Sequence, residues 1–292
     1  MTIYRAEVVA TERLTPGMIR IVLGGEEVAA FLSTGIGDEY LRVFLPAAGE
    51  RVPVLPFATE NGWDYPEGVA PSPMRTYTVR AVDPRAGTVT IDFVVHESGV
   101  AATWAQHAVV GDVVGLNTPC GLYSPPVDLA WQLLLADETG LPAVARLVEQ
   151  APAGVRTRVV IEVTDASRRQ DLEPHPDVDV AWVYGGNGNG RSRLEEILRS
   201  IELPDGVGYV WFAGEAKVMR TVRTYLRHER GLPASAYKVI GYWTDKAEQW
   251  TERWDNLDAG TKEWLAKLWA DDGRAVEEIE DEYFATLESL GL

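Results

Sequence analysis

The sequence predicts two domains and a tail: an antiparallel β-barrel, an α/β domain built on a parallel sheet, and a C-terminal helical extension. Three observations carry this. Residues 1–125 hold many short, β-prone runs punctuated by turn residues, the signature of a small barrel. Residues 126–245 alternate strand-like and helix-like segments, which calls for a parallel sheet with covering helices. Residues 246–292 read as helix only.

In the first unit, strands are expected at 4–11, 18–23, 39–45, 75–82, 88–96 and 112–117. Thr15-Pro16-Gly17, the stretch from Asp83 to Gly87 and Val110-Gly111-Asp112 supply turns between them. One helix is expected at 99–108, and the proline-rich stretch 119–126 reads as a linker. In the second unit, strands are expected at 131–136, 158–163, 178–184, 209–213 and 237–242, with helices at 141–150, 192–200 and 217–230. In the tail, Trp250 and Trp254 are four apart, and Trp264, Leu265, Leu268 and Trp269 make one stripe. An acidic helix at 275–290 places Ile279, Tyr283 and Leu287 on one face. These helices are expected to cap the body through aromatic anchors. The sharper alternative is that the tryptophans wall an active site.

A net charge of −17 argues against a general affinity for nucleic acid or anionic membrane. From Ala247 onward there are 13 Asp/Glu against 4 Lys/Arg, so an anionic ligand needs a local basic pocket. The single cysteine, Cys120, excludes an intrachain disulfide framework and a cysteine-held cluster within one chain. His96, His107, His175 and His228 lie far apart and in no metal-ligand spacing, so no metal site is expected. No leader is visible and no apolar run approaches the ~20 residues of a membrane helix, so a cytoplasmic location is expected.

The chemistry-bearing motifs follow in order. Arg75-Thr76-Tyr77-Thr78-Val79-Arg80 puts an aromatic ring and two cations on a strand. A ring there can cover a flat cofactor, and an arginine can pair with phosphate. The same alternation also suits a half-exposed strand. His96 ends the next strand, and Gly99 opens a helix whose first amides can meet a diphosphate. Asp137-Glu138-Thr139 lies in the first βα turn of the α/β unit, where such sheets bind nucleotides. Ala213-Gly214-Glu215 and Gly241-Tyr242-Trp243 end two further parallel strands. Arg168 and Arg169 follow the second strand, either to contact a ribose or 2′-phosphate or as solvated charges. The glycine-rich run 185–190 has the wrong spacing for a dinucleotide fingerprint and reads as a flexible loop.

Over residues 4–244 this order of motifs resembles the siderophore-interacting protein family, ferric-siderophore reductases within the ferredoxin-reductase-like flavoproteins. The resemblance implies an FAD-binding barrel followed by an NADH- or NADPH-binding α/β domain. It implies that Arg75, Tyr77, Thr78, Val79 and Arg80 contact the flavin and its phosphate. His96, Gly99, Ala101, Ala102 and Thr103 would line the diphosphate and adenine. Asp137, Glu138, Thr139, Ala213, Gly214 and Glu215 would line the nicotinamide nucleotide. The chain departs from the family pattern at Glu97, often glycine, at Ala102, often Ser or Thr, and at Thr244, commonly arginine. Lys246 is the nearest replacement cation, with Lys262 and Lys267 further off, so Trp243, Lys246 and Lys262 are expected on the substrate side. The implied activity is flavin-mediated reduction of a ferric siderophore, which calls for no catalytic acid or base in the protein. A ferredoxin in place of NAD(P)H as donor, a protein electron acceptor, and a siderophore carrier or sensor without turnover are the alternatives.

Overall fold

Alternation in the first unit produces nine strands and one α-helix among the described residues: β1 (Ile3–Thr15), β2 (Met18–Gly24), β3 (Tyr40–Phe44), β4 (Phe57–Thr59), β5 (Gly62–Asp64), β6 (Met74–Thr78), β7 (Ala81–Asp83), β8 (Thr88–Val94), α1 (Val100–His107) and β9 (Val113–Asn117). The computed structural model describes residues 2–60, 62–96, 99–270 and 273–292. Seven strands pair antiparallel in the order β6-β3-β9-β1-β2-β8-β7, and β4 and β5 form a separate hairpin. The single strand expected at 75–82 is two. β6 pairs with β3; then Val79 N donates to Glu39 O at 2.9 Å, Arg80 N donates to Thr90 O at 2.8 Å, and β7 pairs with β8. This change of partner joins the two ends of the ladder and closes the barrel. Ile21, Leu23, Val43, Ile91, Phe93 and Leu116 fill it.

The second unit forms β10 (Trp131–Asp137), α2 (Leu141–Glu149), β11 (Arg156–Val163), β12 (Val178–Tyr184), α3 (Leu194–Ser200), β13 (Gly208–Glu215), α4 (Ala216–Thr224) and β14 (Tyr237–Trp243). The expected helix at 217–230 is α4 followed by a π-helical turn at Tyr225–Glu229. The sheet is parallel, in the order β12-β11-β10-β13-β14. Every residue of β10 is buried, as a central strand covered on both faces requires. The chain runs outward from β10 to β12, then returns to the other side of β10 as β13. That reversal puts the topological switch point beside the turn after β10 and the end of β13.

The tail forms α5 (Ala247–Asp255), α6 (Ala259–Leu268) and α7 (Val276–Ser289). Leu265, Leu268, Ile279, Leu287 and Leu292 make a core of their own, with Trp250 and Trp254 packed against it. Of the expected stripe only the leucines are buried; Trp264 and Trp269 are 41% and 48% exposed. The acids of α7 dock on the basic face of α4. Arg223, itself buried, pairs with Glu280 at 3.1 Å and with Asp281, and Arg227 pairs with Asp281 at 2.8 Å.

The barrel and the α/β unit are locked together. Met18 of the barrel is buried among Leu134, Ala136, Val144 and Ile161 of the second unit. The linker stretch is tied down: Cys120 exchanges backbone hydrogen bonds with Tyr40 at 2.7 and 2.9 Å, and Asp38 Oδ1 accepts from Leu122 N and Tyr123 N at 2.8 Å. Asp38 Oδ2 also accepts from the Trp211 indole of β13 at 2.9 Å. Fully buried Glu39 pairs with Arg146 of α2 at 2.9 Å.

Candidate functional site

On the barrel side, β6 presents Tyr77 with one face against Phe93, ring centroids 4.3 Å apart. Burial drives the Tyr77 phenol far above its ordinary range, so it stays neutral. Next to it the Thr78 hydroxyl is buried without a hydrogen-bond partner. The Tyr242 phenol of β14 interacts with it, but not in hydrogen-bonding geometry. A buried orphan hydroxyl is costly unless a ligand satisfies it. Arg75 is exposed, and its guanidinium donates to its neighbour's carbonyl, Met74 O, at 2.8 Å.

His96 and Gly99 meet where α1 begins. Gly99 sits at φ +104°, and a Cβ there would lie 2.9 Å from His96 Cε1. Burial lowers the His96 pKa, which keeps the imidazole neutral. Among the described residues no side chain caps α1, so its first amides are candidates to meet an anion. Ala101 and Ala102 turn their methyls into the core and offer backbone only, whereas Thr103 is exposed. An orphan hydroxyl beside an aromatic ring, an uncapped helix and a glycine pressed on a neutral imidazole fit a flavin with its diphosphate. Glu97 lies outside the described residues.

Arg80, expected among the flavin contacts, is committed elsewhere. Its guanidinium pairs with Glu149 of α2 at 2.5 Å and lies 3.9 Å from Asp92, so it joins the domains.

On the sheet side, the turn after β10 is filled by its own polar groups. Asp137 Oδ1 accepts from Thr139 N at 2.9 Å and Thr139 Oγ1 at 2.6 Å, and Oδ2 accepts from the Trp243 indole at 2.6 Å. Burial raises the Asp137 pKa. A Cβ on Gly214 would lie 2.8 Å from Asp137 Oδ2, so only glycine lets β13 approach this carboxylate. Ala213 is fully buried and can reach a ligand only through its backbone. Glu215 caps α4, accepting from Val218 N at 2.9 Å. That cap occupies the N-terminus of α4, while α2, which starts after Gly140, carries no side-chain cap. The α4 end is thus closed to a nucleotide phosphate, and at the α2 end Leu141, Pro142 and Ala143 are buried and Pro142 has no N–H to offer.

Glu138 is buried and paired with Arg168, whose Nη1 lies 3.0 and 3.1 Å from the two carboxylate oxygens. The β1–β2 turn lies directly on this pair: a Cβ on Gly17 would collide with both side chains. Burial pushes the Glu138 carboxyl up to about 7, against the pull of Arg168. A folded pKa above the unfolded value means that the contribution to stability is full below about pH 4.5 and is lost as pH rises through about 7. Between pH ~4.5 and ~8 the wild-type protein is predicted to lose roughly 3 kcal/mol relative to Glu138→Gln. Parallel stability–pH curves for the two proteins, measured by denaturant unfolding, would refute it.

The glycine-rich loop is pinned rather than loose. Asn187, at φ +54°, donates to Glu162 O at 3.1 Å and Gly185 O at 3.0 Å and accepts from Glu138 N at 2.9 Å.

A cleft of about 640 Å³ opens between α4 and the extension, lined in part by Glu215, Lys217, Thr244, Lys246 and Trp250. Among the described residues neither Lys217 nor Lys246 has an ion-pair partner. Lys262 does not line this cleft; it lies on α6 with Nζ donating to Asp255 O at 2.8 Å. Lys267 pairs with Glu263 on the same helix at 2.7 Å.

The fold of a closed antiparallel barrel locked to a five-stranded parallel sheet is shared with the ferredoxin reductase in carbazole 1,9a-dioxygenase, which superposes with a TM-score of 0.61 at 14% identity over 83% of this chain and 70% of that one. Residues 7–123 match the siderophore-interacting FAD-binding domain and residues 129–246 the siderophore-interacting protein domain. The chain belongs to the siderophore-interacting protein family. It is 32% identical to the NADPH-dependent ferric-chelate reductase of Escherichia coli K12, over 82% of this chain and 92% of that one. It is 26% identical to the ferric vibriobactin reductase ViuB of Vibrio cholerae, over 79% and 85%. The crystal structure of a siderophore utilization protein from T. fusca superposes with a TM-score of 0.75 at 34% identity, covering 83% of this chain and 93% of that one. The helices beyond residue 246 lie outside both family domains. Among the described residues no helix is long and apolar enough to cross a membrane.

Proposed function

We propose that the protein is an FAD-dependent ferric-siderophore reductase that draws its electrons from NAD(P)H in the cytoplasm. The observation that carries this is the orphan Thr78 hydroxyl facing Tyr242, which sets the flavin side of the barrel against the C-terminal edge of the parallel sheet. FAD held there would supply the hydride acceptor for the nicotinamide and the single-electron donor for ferric iron, whose hard oxygen chelate loosens on reduction.

The domain limits that go with this reading are 1–125 for FAD, 126–245 for the nicotinamide nucleotide and 246–292 for the extension. In the barrel, Arg75 meets phosphate, Tyr77 covers the ring and Thr78 meets its polar edge, while the Val79 N–H and carbonyl, expected there too, are already bonded to Glu39 O and Arg146 Nη1. His96, Gly99, Thr103 and the backbone of Ala101 and Ala102 hold the diphosphate and adenine. In the sheet, Thr139 and the Gly214 backbone face the nucleotide. The Asp137 and Glu138 side chains shape that turn from within, and Asp137 fixes the Trp243 indole. Lys246 draws an anionic ferric chelate to the cleft.

The test begins with the visible spectrum after desalting, where bound oxidised flavin is expected. Anaerobic turnover of NADPH with a ferric siderophore, with Fe(II) trapped by a chromogenic chelator, is expected next without any added protein. Binding without turnover would favour the carrier reading. Turnover only with ferredoxin supplied would move the donor or acceptor to a protein. Lys246→Ala is predicted to raise KM for an anionic ferric chelate about five- to tenfold with little change in kcat. An unchanged KM across several chelates would remove Lys246 from the substrate site.

A further inference from the structure

The cleft between α4 and the extension has two walls of different origin. Lys217, Arg220 and Thr221 of α4 line one, and Gln249, Trp250 and Arg253 of α5 line the other. Between them come Glu215, the last residue of β13, and Thr244, which follows β14. The cleft therefore adjoins the strand ends that carry Gly214, Tyr242 and Trp243.

Charge is a blunt selector here. Five cationic and four acidic side chains line the cleft, so they nearly balance. Several are already engaged. Arg199 pairs with Glu195 at 2.8 Å, and Glu215 caps α4. Arg220 and Arg253 donate to the carbonyls of Leu292 and Gly291 at 3.2 and 2.6 Å. Lys217 and Lys246 are left to meet an anion, and an ammonium does not distinguish one anionic chelate from another.

Trp250 supplies a different kind of recognition. Of the four tryptophans in the extension it alone lines the cleft. Its ring is stacked on Trp254, one turn further along α5, with centroids 5.5 Å and planes 9° apart. Both rings rest against the leucine core of the extension. One face of Trp250 is thus backed by protein, while the residue stays partly exposed. A backed indole is fixed in place before a ligand arrives, so stacking on it costs little ordering entropy.

Hard oxygen donors for ferric iron come in two kinds. Aryl oxygens, such as catecholates, carry their donors on an aromatic ring, and aliphatic hydroxamates have no ring. We propose that Trp250 is a specificity-determining residue that stacks on the ring of an aryl-bearing ferric chelate and makes the cleft prefer it to an aliphatic one of equal charge. This rests on the reductase reading above, with the cleft as its substrate site.

The probes are gallium(III) chelates, which match the ferric ones in charge and size but are not reduced, so binding is read without turnover. Gallium tris(benzohydroxamate) and gallium tris(acetohydroxamate) are both neutral, and one carries rings where the other carries methyls. Each is titrated calorimetrically, in excess free hydroxamate, into the full-length flavin-loaded protein. Wild type is expected to bind the ring-bearing complex about tenfold more tightly. Trp250→Leu keeps an apolar anchor on the tail core and removes the ring; it should cut the preference to within about twofold. Trp250→Phe should retain most of it. Loosening of the extension would weaken both complexes alike, whereas loss of the ring weakens only one. Equal binding of the two complexes by wild type, or a preference that survives Trp250→Leu, would overturn the assignment. Reduction of ferric siderophores without that preference would leave the reductase reading standing and remove the aryl platform. Ring-dependent binding through Trp250 in a protein that reduces no ferric chelate would uphold the platform and favour the carrier.

Discussion

Arg146→Ala is expected to destabilise the protein by about 3–5 kcal/mol, because it leaves a buried charge without its partner. Glu39 is fully buried 107 positions away in sequence, and Arg146 Nη1 lies 2.9 Å from its Oε1. The same Nη1 donates to Val79 O at 2.5 Å, the carbonyl at the corner where β6 hands over to β7. The second Glu39 oxygen accepts from Thr34 N at 2.6 Å and Thr34 Oγ1 at 2.7 Å. Those bonds remain in the variant, but they do not neutralise the charge. Since Arg146 belongs to α2 and Glu39 to the barrel, the loss falls on the joint between domains. Denaturant unfolding of the variant is therefore expected to split into two transitions where wild type shows one. Replacing both partners with leucine should restore much of the loss, since neither charge is then stranded. A single transition within about 1 kcal/mol of wild type would show that water reaches Glu39 and that the joint is held by its apolar contacts alone.

The periodicity that gave the barrel and the parallel sheet is local, and so it was legible. What was missed depends on partners distant in the chain. The break in the strand expected at 75–82 follows from Val79 bonding toward Glu39 while Arg80 bonds toward Thr90, and no hexamer contains that information. The hairpin of β4 and β5 lies in a stretch rich in proline and glycine with no sustained alternation. Glu39 is expected to open the strand at 39–45, but its burial and that of Asp38 are not readable there, because a buried acid is rare until its partner is known. Their partners are Trp211 and Arg146, both in the other domain.

The candidate site divides in the same way. Tyr77 and Thr78 lie on β6 and His96 and Gly99 follow β8, with β7 between, so their order in the sequence gives the segments and not their contacts. Arg80 is placed by its position in the motif and Lys262 by its charge, and each has a partner that sequence order does not reveal, Glu149 for one and the Asp255 carbonyl for the other. The turn 185–190 looked flexible because of its glycines, but Asn187 ties it to Glu138. Ala102, in place of a Ser or Thr, is 1% exposed, so the exchange removes no hydroxyl that would have faced a ligand without rotation of α1.

Gly99→Val is expected to abolish flavin retention while sparing the fold. At φ +104° a β-branched residue is strained by about 1–3 kcal/mol, and its Cβ would press on the His96 ring. Relief of either problem moves the first turn of α1, whose open amides are the proposed diphosphate site. The helix itself should persist, because Ala101 and Ala105 anchor it in the barrel core. The variant is expected to emerge colourless from desalting and to bind added FAD at least about 100-fold more weakly, with a thermal transition close to that of FAD-free wild type. A yellow variant with near-wild-type affinity would mean that the diphosphate lies elsewhere. Strain and collision can be separated with Gly99→Ala in two backgrounds. His96→Ala removes the ring that the new Cβ would meet and leaves φ unchanged. Recovery of FAD binding in the double variant would assign the defect to the His96 contact. Failure to recover would assign it to the left-handed backbone that only glycine adopts without strain.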